Sequence, residues 1–173
     1  MSKISLINGS CADQEVDVIV NAANRYLMSG GGICGVIFRK AGYTELGEAC
    51  QKIKTPLDDG EAVLTPAFNI KNAKYIIHAI GPDFNMTPDA IDKLFYAYYN
   101  SMKLLIENGL HSISFPLISA GIFGGNLENP ARESATQCIK AYKKIVEEYD
   151  NYDIYVTLCA YTSTEYNNAN MVL

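Results

Sequence analysis

Short runs of apolar and β-branched residues alternate along the chain with longer segments in which apolar residues recur at helical spacing. The short runs predict strands at residues 4–7, 16–21, 62–65, 75–80, 112–118 and 152–159. The helical spacing predicts two short helices, at residues 32–41 and 43–52, and two longer ones further along the chain. Because strands and helices alternate, we expect an α/β fold whose central sheet is mixed and mostly parallel, with helices on both faces.

The two longer helices are predicted from their start signals. Thr87 and Pro88 have the residue types of an N-cap and a first helical residue, and Asn129 and Pro130 repeat this pattern before the second helix. There is no internal repeat, low-complexity tract or linker in the sequence. We therefore expect one domain over residues 1–173.

Composition narrows the classes of function. Hydrophobic residues make up 49% of the chain, which is enough for a sizeable core. The chain has 14 Lys and Arg against 19 Asp and Glu, a net charge of −5 with no basic run, so a nucleic-acid partner is not expected. The first residues lack the apolar region of a signal peptide, and no apolar run reaches the length of a membrane span. We expect a cytoplasmic protein with no membrane partner, and a monomer.

The number and spacing of the cysteines indicate no metal site. The five cysteines are odd in number and scattered without a Cys-x-x-Cys pair, so neither a disulfide framework nor a zinc site is predicted. They are Cys11, Cys34, Cys50, Cys138 and Cys159. We expect no bound metal.

Two segments rich in small residues follow predicted strands, where ligands bind in open α/β sheets. The first glycine loop (residues 21–35) contains Gly30, Gly31, Gly32 and Gly35 directly before a predicted helix. Glycines at a helix start let several backbone N–H groups approach one phosphate, and the helix dipole favours the anion. The second glycine loop (residues 119–125) carries Phe123 between glycines, a position that suits a ring lying against a ligand. A glycine-rich connection without a ligand remains the alternative for both.

The spacing Gly30-x-Gly32-x-x-Gly35 formally matches the dinucleotide fingerprint, but its context does not. The fingerprint requires its first glycine directly after a strand, whereas residues 22–29 intervene here. A nucleotide-triphosphatase P-loop is excluded because no Gly-x-x-x-x-Gly-Lys-[Ser/Thr] motif is present.

Four motifs in order give the chain a resemblance to the macro domain family. They are Asn21-Ala22-Ala23-Asn24, Gly30-Gly31-Gly32, His78-Ala79-Ile80-Gly81-Pro82 and Pro116-Leu117-Ile118-Ser119-Ala120-Gly121-Ile122-Phe123-Gly124. The resemblance covers residues 4 to about 166, nearly the whole chain. It implies a three-layer α/β/α sandwich with ADP-ribose as the ligand and no further cofactor.

The resemblance also implies roles for individual residues. The backbone from Gly32 to Val36 would hold one phosphate, and the backbone from Ser119 to Gly124 the other. Asn24 would bond the hydroxyls of the distal ribose, Phe123 would pack beside that ribose, and Tyr161 would lie against the adenine. Asn24 and Gly32 are the candidate catalytic residues. The full set of implied ligand-binding residues is Ser10, Cys11, Ala22, Asn24, Gly30, Gly31, Gly32, Ile33, Cys34, Gly35, Val36, Leu117, Ser119, Ala120, Gly121, Ile122, Phe123, Gly124 and Tyr161.

Two positions depart from the common family pattern. Ser10 stands where most members have an aspartate for the adenine amino group, which predicts a weaker hydrogen bond to the base. Cys34 stands where one hydrolase branch has an aspartate, although the run Gly-Gly-Gly-Ile-Cys-Gly is similar to the alphavirus-type branch, which includes hydrolases. A nucleophilic Cys34 would need a base, and neither His78, in an apolar strand, nor His111, after a helix stop, is an evident one.

Two functions follow from the resemblance. The first is hydrolysis of an ester between ADP-ribose and an acidic side chain or an acyl group. The alternative is a non-catalytic reader that binds mono-ADP-ribosylated partners. RNA binding is a third, disfavoured by the net charge of −5.

Overall fold

The strands of the chain form a single six-stranded sheet. The computed structural model describes all residues, Met1–Leu173. The strands are β1 (Lys3–Asn8), β2 (Val18–Ala23), β3 (Ala62–Pro66), β4 (Tyr75–Ile80), β5 (Ser112–Pro116) and β6 (Tyr155–Ala160). Their order across the sheet is β1-β6-β5-β2-β4-β3, and all neighbours are parallel except β3, which is antiparallel to β4. The expected mixed, mostly parallel sheet is confirmed.

Five helices cover both faces of this sheet. They are α1 (Gly32–Ala41), α2 (Tyr43–Gln51), α3 (Ile91–Glu107), α4 (Pro130–Glu148) and α5 (Ser163–Asn170). Strand β2 shows how the faces divide, because Val18 and Val20 pack with α3 and α4 whereas Ile19 packs with α1 and α2. This alternation is the period-two pattern of a strand buried on both sides. The three-layer α/β/α architecture is therefore confirmed.

Several element boundaries differ from the sequence-based expectation. Strand β2 begins at Val18 rather than at residue 16, and β6 begins at Tyr155 rather than at residue 152. The predicted N-cap at Thr87 is wrong, because the Thr87 side chain and backbone N–H both bond to the carbonyl of Asp83 and α3 begins only at Ile91. Asn129 does cap α4, accepting a hydrogen bond from the backbone N–H of Arg132.

A closed ring of three hydrogen bonds joins α3, α4 and the end of β5. The hydroxyl of the buried Tyr98 accepts from the backbone N–H of Ile118 at 2.9 Å and donates to Ser134 Oγ at 2.6 Å. Ser134 in turn donates to the carbonyl of Ile118 at 2.6 Å. Ile118 directly precedes the second glycine loop, so this ring fixes the point from which that loop leaves the sheet.

Replacing Tyr98 with phenylalanine keeps the ring packing but leaves the buried Ile118 N–H without its acceptor. We expect the free energy of unfolding to fall by about 1–3 kcal/mol, the usual cost of a buried polar group left unpaired. Urea unfolding followed by circular dichroism measures this change. Tyr142→Phe is the matched control, because Tyr142 is half-buried on α4 and its hydroxyl has no protein partner. Equal losses in both variants would contradict the importance assigned to the ring.

Candidate functional site

A cavity of about 550 Å³ opens at the carboxyl ends of β2 and β5, between the two glycine loops. We call it the binding cavity. Its lining comprises Ala22, Ala23, Asn24, Gly30, Gly31, Gly32, Ile33, Cys34, Pro116, Leu117, Ser119, Gly121, Ile122 and Phe123. None of these residues is basic, so an anion in the cavity would be held by backbone groups rather than by lysine or arginine.

The N-terminus of α1 forms one wall of the binding cavity. Gly31 precedes the helix in an extended conformation and no side chain caps it. The backbone N–H groups of Gly32, Ile33 and Cys34 belong to the first turn and have no intrahelical acceptor. They lie at the positive end of the helix dipole, which makes this wall suited to a phosphate.

The backbone geometry of this wall favours glycine at one position and requires it at another. Gly32 has a φ of +56°, in the left-handed region that most side chains disfavour. A Cβ on Gly35 would lie 2.6 Å from the carbonyl oxygen of Gly30, so only glycine lets the loop fold this closely onto α1. Gly35 therefore shapes the loop, while Gly32 lines the cavity.

The amide of Asn24 is largely used within its own loop. Its Oδ1 accepts hydrogen bonds from the backbone N–H groups of Tyr26 and Met28, each at 3.1 Å. Its Nδ2 donates to the carbonyl of Met28 at 2.8 Å. Because an amide has two N–H donors, one remains for a ligand. Asn24 can therefore donate to a hydroxyl in the cavity, but its acceptor is already occupied.

The second glycine loop is tied to the segment that follows β4. Ser119, with a φ of +59°, donates through its hydroxyl to the carbonyl of Pro82 at 2.7 Å. The backbone N–H of Phe84 donates to the carbonyl of Phe123 at 2.8 Å. Asn85 donates through Nδ2 to the carbonyl of Ile122 at 2.7 Å. These bonds hold the half-buried ring of Phe123 against the cavity.

A line of buried polar side chains runs beneath the first glycine loop. Asn21 donates through Nδ2 to Cys34 Sγ at 3.7 Å and pairs with His78 Nδ1 at 3.1 Å. On the other side of the imidazole, Nε2 pairs with the hydroxyl of Thr65 at 2.9 Å. With Asn21 as the donor to Nδ1, the ring is neutral and carries its hydrogen on Nε2.

The same line argues against a nucleophilic Cys34. Burial raises the pKa of the Cys34 thiol, and the hydrogen bond from Asn21 lowers it by less. Burial lowers the pKa of His78 to about 4, and its ring is separated from the cavity by Asn21. An un-ionised thiol without an adjacent base is a poor nucleophile. Cys34 instead donates to the carbonyl of Met28 at 3.6 Å and helps to fix the loop.

A second cavity of about 300 Å³ adjoins the first, and we call it the side cavity. The two cavities share Ala23, Asn24 and Phe123. The rest of the side cavity comes from the segments after β2 and β4 and from the loop before β3. It is lined further by Arg25, Tyr26, Asp59, Ile80, Gly81, Asp83, Met86 and Thr87.

Some sequence-predicted site residues lie outside the binding cavity. Ser10 accepts a hydrogen bond from the backbone N–H of Ala12, Cys11 is buried with its thiol on the carbonyl of Val20, and the side chain of Tyr161 is 78% exposed. Gly35, Val36, Ala120 and Gly124 also do not line it. The roles assigned to all these residues stay predictions.

Sequence reasoning missed other residues at the site. Ala23 and Pro116 line the binding cavity and sit inside motifs that were recognised, so their neighbours pointed to them. Arg25, Asp59 and Asp83 line the side cavity but come from three separate segments with no motif. No signal in the sequence could have grouped them.

No cluster of three His, Cys, Asp or Glu side chains could hold a metal ion, and no helix has the length and apolar character to cross a membrane.

Comparisons with known proteins point to one family. The family model described as Macro domain matches residues 20–134. An O-acetyl-ADP-ribose deacetylase of Escherichia fergusonii is 46% identical over 127 residues, which covers 71% of each chain. A solved Oceanobacillus iheyensis macrodomain with ADP has a TM-score of 0.88 and 32% identity, covering 98% of this chain and 89% of that one. A Trypanosoma brucei macrodomain in complex with ADP-ribose has a TM-score of 0.82 and 28% identity, covering 98% and 68%.

The buried His78 should make the fold sensitive to mild acid. Its pKa is lowered to about 4 by burial, against 6.5 for a free histidine, so the unfolded chain binds the proton more tightly. Above pH 6.5 the imidazole is neutral in both the folded and the unfolded chain, so the folded state keeps its full stability. As the pH falls towards 4, the unfolded chain takes up the proton first and the folded state loses stability. In that interval we expect the free energy of unfolding to decrease by about 1.4 kcal/mol per pH unit from this group alone.

Urea unfolding between pH 7 and pH 4.5 measures this slope. His78→Gln removes the titrating group and should flatten the slope. His111→Gln is the control, because His111 is exposed and stacks on Tyr152 just before the start of β5, at the end of the sheet away from the binding cavity. A slope that His78→Gln leaves unchanged would rule out the buried histidine as its origin.

Proposed function

Because this chain belongs to the macro domain family, we propose that its binding cavity holds ADP-ribose and that the protein hydrolyses esters of ADP-ribose. The membership agrees with the resemblance of the four sequence motifs. The proposed substrates are ADP-ribose joined to an acidic protein side chain and O-acyl ADP-ribose. The products are free ADP-ribose and the carboxylic acid.

The observation that carries the binding proposal is the uncapped N-terminus of α1 in the wall of the binding cavity. A diphosphate supplies the negative charge and the acceptors that these N–H groups lack. The backbone of the second glycine loop faces the same space from the other side. In a protein with a net charge of −5, such local donors allow anion binding without a basic surface.

We assign the remaining parts of the ligand from the diphosphate outwards. The distal ribose lies beside Asn24 and Phe123, where the two cavities meet. The free Nδ2 hydrogen of Asn24 donates to a ribose hydroxyl. The adenine lies towards Ser10 and Tyr161, which follow the adjacent strands β1 and β6. The exposed Tyr161 ring is free to stack on the base.

The proposed hydrolysis relies on positioning rather than on a strong protein base. His78 is buried behind Asn21, and the Cys34 thiol stays protonated. A water molecule held between a ligand phosphate and the glycine backbone attacks the ester. Backbone N–H groups stabilise the charge that develops, and Asn24 fixes the ribose. An ester is reactive enough for such a site to be effective.

The second candidate is a reader that binds ADP-ribose on a modified partner without cleaving it. The specific observation in its favour is the absence of a general base among the residues of the binding cavity. Both candidates share the same binding geometry, so an assay of bond cleavage is needed to separate them.

Calorimetric titration with ADP-ribose, ADP and ribose phosphate tests the binding proposal. The same sample is assayed for release of ADP-ribose from a protein modified on acidic residues. Binding that requires the whole ADP-ribose molecule, together with release, supports a hydrolase. Binding without release supports a reader. Absence of binding to all three compounds contradicts the proposal.

Substitutions at Gly32 test where the diphosphate binds. Asparagine and aspartate both tolerate a positive φ, and a Cβ at Gly32 meets no other atom within 4 Å. Gly32→Asp places a negative charge beside the proposed phosphate, whereas Gly32→Asn has the same shape without the charge. We expect the aspartate variant to bind ADP-ribose about tenfold or more weakly than the asparagine variant.

Two further readouts accompany the Gly32 pair. The difference in affinity should shrink as salt is added, because ions screen the repulsion. The aspartate variant should be no less thermally stable than the asparagine variant, since an acidic residue at a helix N-terminus is favourable. Equal affinities of the two variants at low salt would show that the diphosphate binds elsewhere.

Asn24→Ala tests the catalytic assignment. Loss of the amide should lower kcat for ester hydrolysis by about tenfold or more, while the Kd for ADP-ribose changes less, because the amide positions the reacting ribose. Ser29→Ala is the control for general disturbance of the first glycine loop, since Ser29 is exposed and does not line the cavity. A Kd that rises while kcat stays unchanged would mean that Asn24 contributes only to binding.

A further inference from the structure

The side cavity lies beyond the place proposed for the distal ribose. It shares Ala23, Asn24 and Phe123 with the binding cavity and extends away from the diphosphate. This step rests on the proposed function: with ADP-ribose in the binding cavity, only the group attached to its distal ribose can enter the side cavity. Residues there can therefore distinguish one modified partner from another without contacting ADP-ribose.

The charged side chains of the side cavity leave it net negative. Asp59 and Asp83 line it, and Arg25 is the one cation in its lining. The guanidinium of Arg25 is already engaged, with Nε donating to the carbonyl of Leu57 at 2.8 Å and an ion pair to Asp58 at 3.4 Å. Part of the Arg25 guanidinium is thus tied to Leu57 and Asp58, and the two carboxylates of the lining outnumber its one cation.

The carboxylates of Asp59 and Asp83 differ in how many hydrogen bonds they accept from the protein. Asp83 accepts from the backbone N–H and the side chain of Asn85 through one oxygen, Oδ1. Asp59 is half-buried and accepts no hydrogen bond from the protein. Burial raises the pKa of its carboxyl, and the nearby Arg25 and Lys93 offset this only in part. A cation beside Asp59 would supply the missing partner.

The side cavity also has exposed apolar side chains in its lining. Tyr26 is 60% exposed and Met86 is 80% exposed, and both contribute to the lining. Long basic side chains combine an apolar stem with a cationic end, so they match a cavity lined by both apolar side chains and carboxylates. A neutral acyl group would leave Asp59 without a cationic partner, and an acidic side chain would be repelled.

We propose that the side cavity receives a lysine or arginine side chain of the ADP-ribosylated polypeptide. The protein then prefers modification sites that have a basic residue beside the modified residue. Asp59 is the residue that carries this preference, with Asp83 contributing to the negative field.

The test uses ADP-ribose joined to short peptides through a hydrolysis-resistant oxime, with Lys, Ala or Glu next to the attachment point. Calorimetry gives the Kd of each conjugate and of free ADP-ribose for the intact protein. We expect the Lys conjugate to bind about three- to tenfold more tightly than the Ala conjugate, and the Glu conjugate to bind more weakly than either. Each Kd is expressed relative to that of free ADP-ribose with the same variant.

Two variants with the same change in net charge complete the test. Asp59→Asn should abolish the preference for Lys over Ala. Glu147→Gln should retain this preference, because Glu147 is exposed near the C-terminal end of α4 and does not line the side cavity. Equal affinities for the three conjugates, or a preference that survives in Asp59→Asn or disappears equally in both variants, would overturn the inference. Failure of free ADP-ribose to bind would instead refute the proposed function on which it rests.

Discussion

The hydrogen-bonded ring of Tyr98, Ser134 and Ile118 is the interaction on which the geometry of the site depends. It joins two helices of one layer to the residue from which the second glycine loop departs. Phe123 and Ser119 are then held by bonds to the segment after β4. The cavity wall formed by this loop is thus positioned by the buried ring and by the segment after β4, in addition to the bond that Gly124 donates to Gly121 within the loop.

The opposite wall is built differently. The first glycine loop is shaped by close backbone packing at Gly35, by the amide of Asn24 and by the thiol of Cys34. All three leave the N–H groups at the start of α1 facing the cavity. An acidic protein thereby obtains a local site for an anion, since helix ends and backbone donors act over short distances and do not depend on net charge.

The fold and the position of the binding cavity could be predicted from sequence because both follow from local patterns. The alternation of strands and helices predicted a sheet with helices on both faces, and the glycines before a predicted helix indicated the cavity wall at the start of α1. The N-cap predicted at Thr87 is wrong because the Thr87 hydroxyl donates to the carbonyl of Asp83 and does not cap a helix. The side cavity could not be foreseen, since Arg25, Asp59 and Asp83 meet only through the tertiary fold. The base-binding roles of Ser10 and Tyr161 remain predictions.

A cavity wall made of main-chain donors has a consequence for sequence drift. Every residue except proline carries an N–H group, so most substitutions at Ile33 or Cys34 preserve the donors that the fold presents. Glycine positions such as Gly35 have no such freedom, because any added atom meets the backbone of Gly30. Side chains around the pocket can therefore vary while the pocket itself is kept together with the architecture.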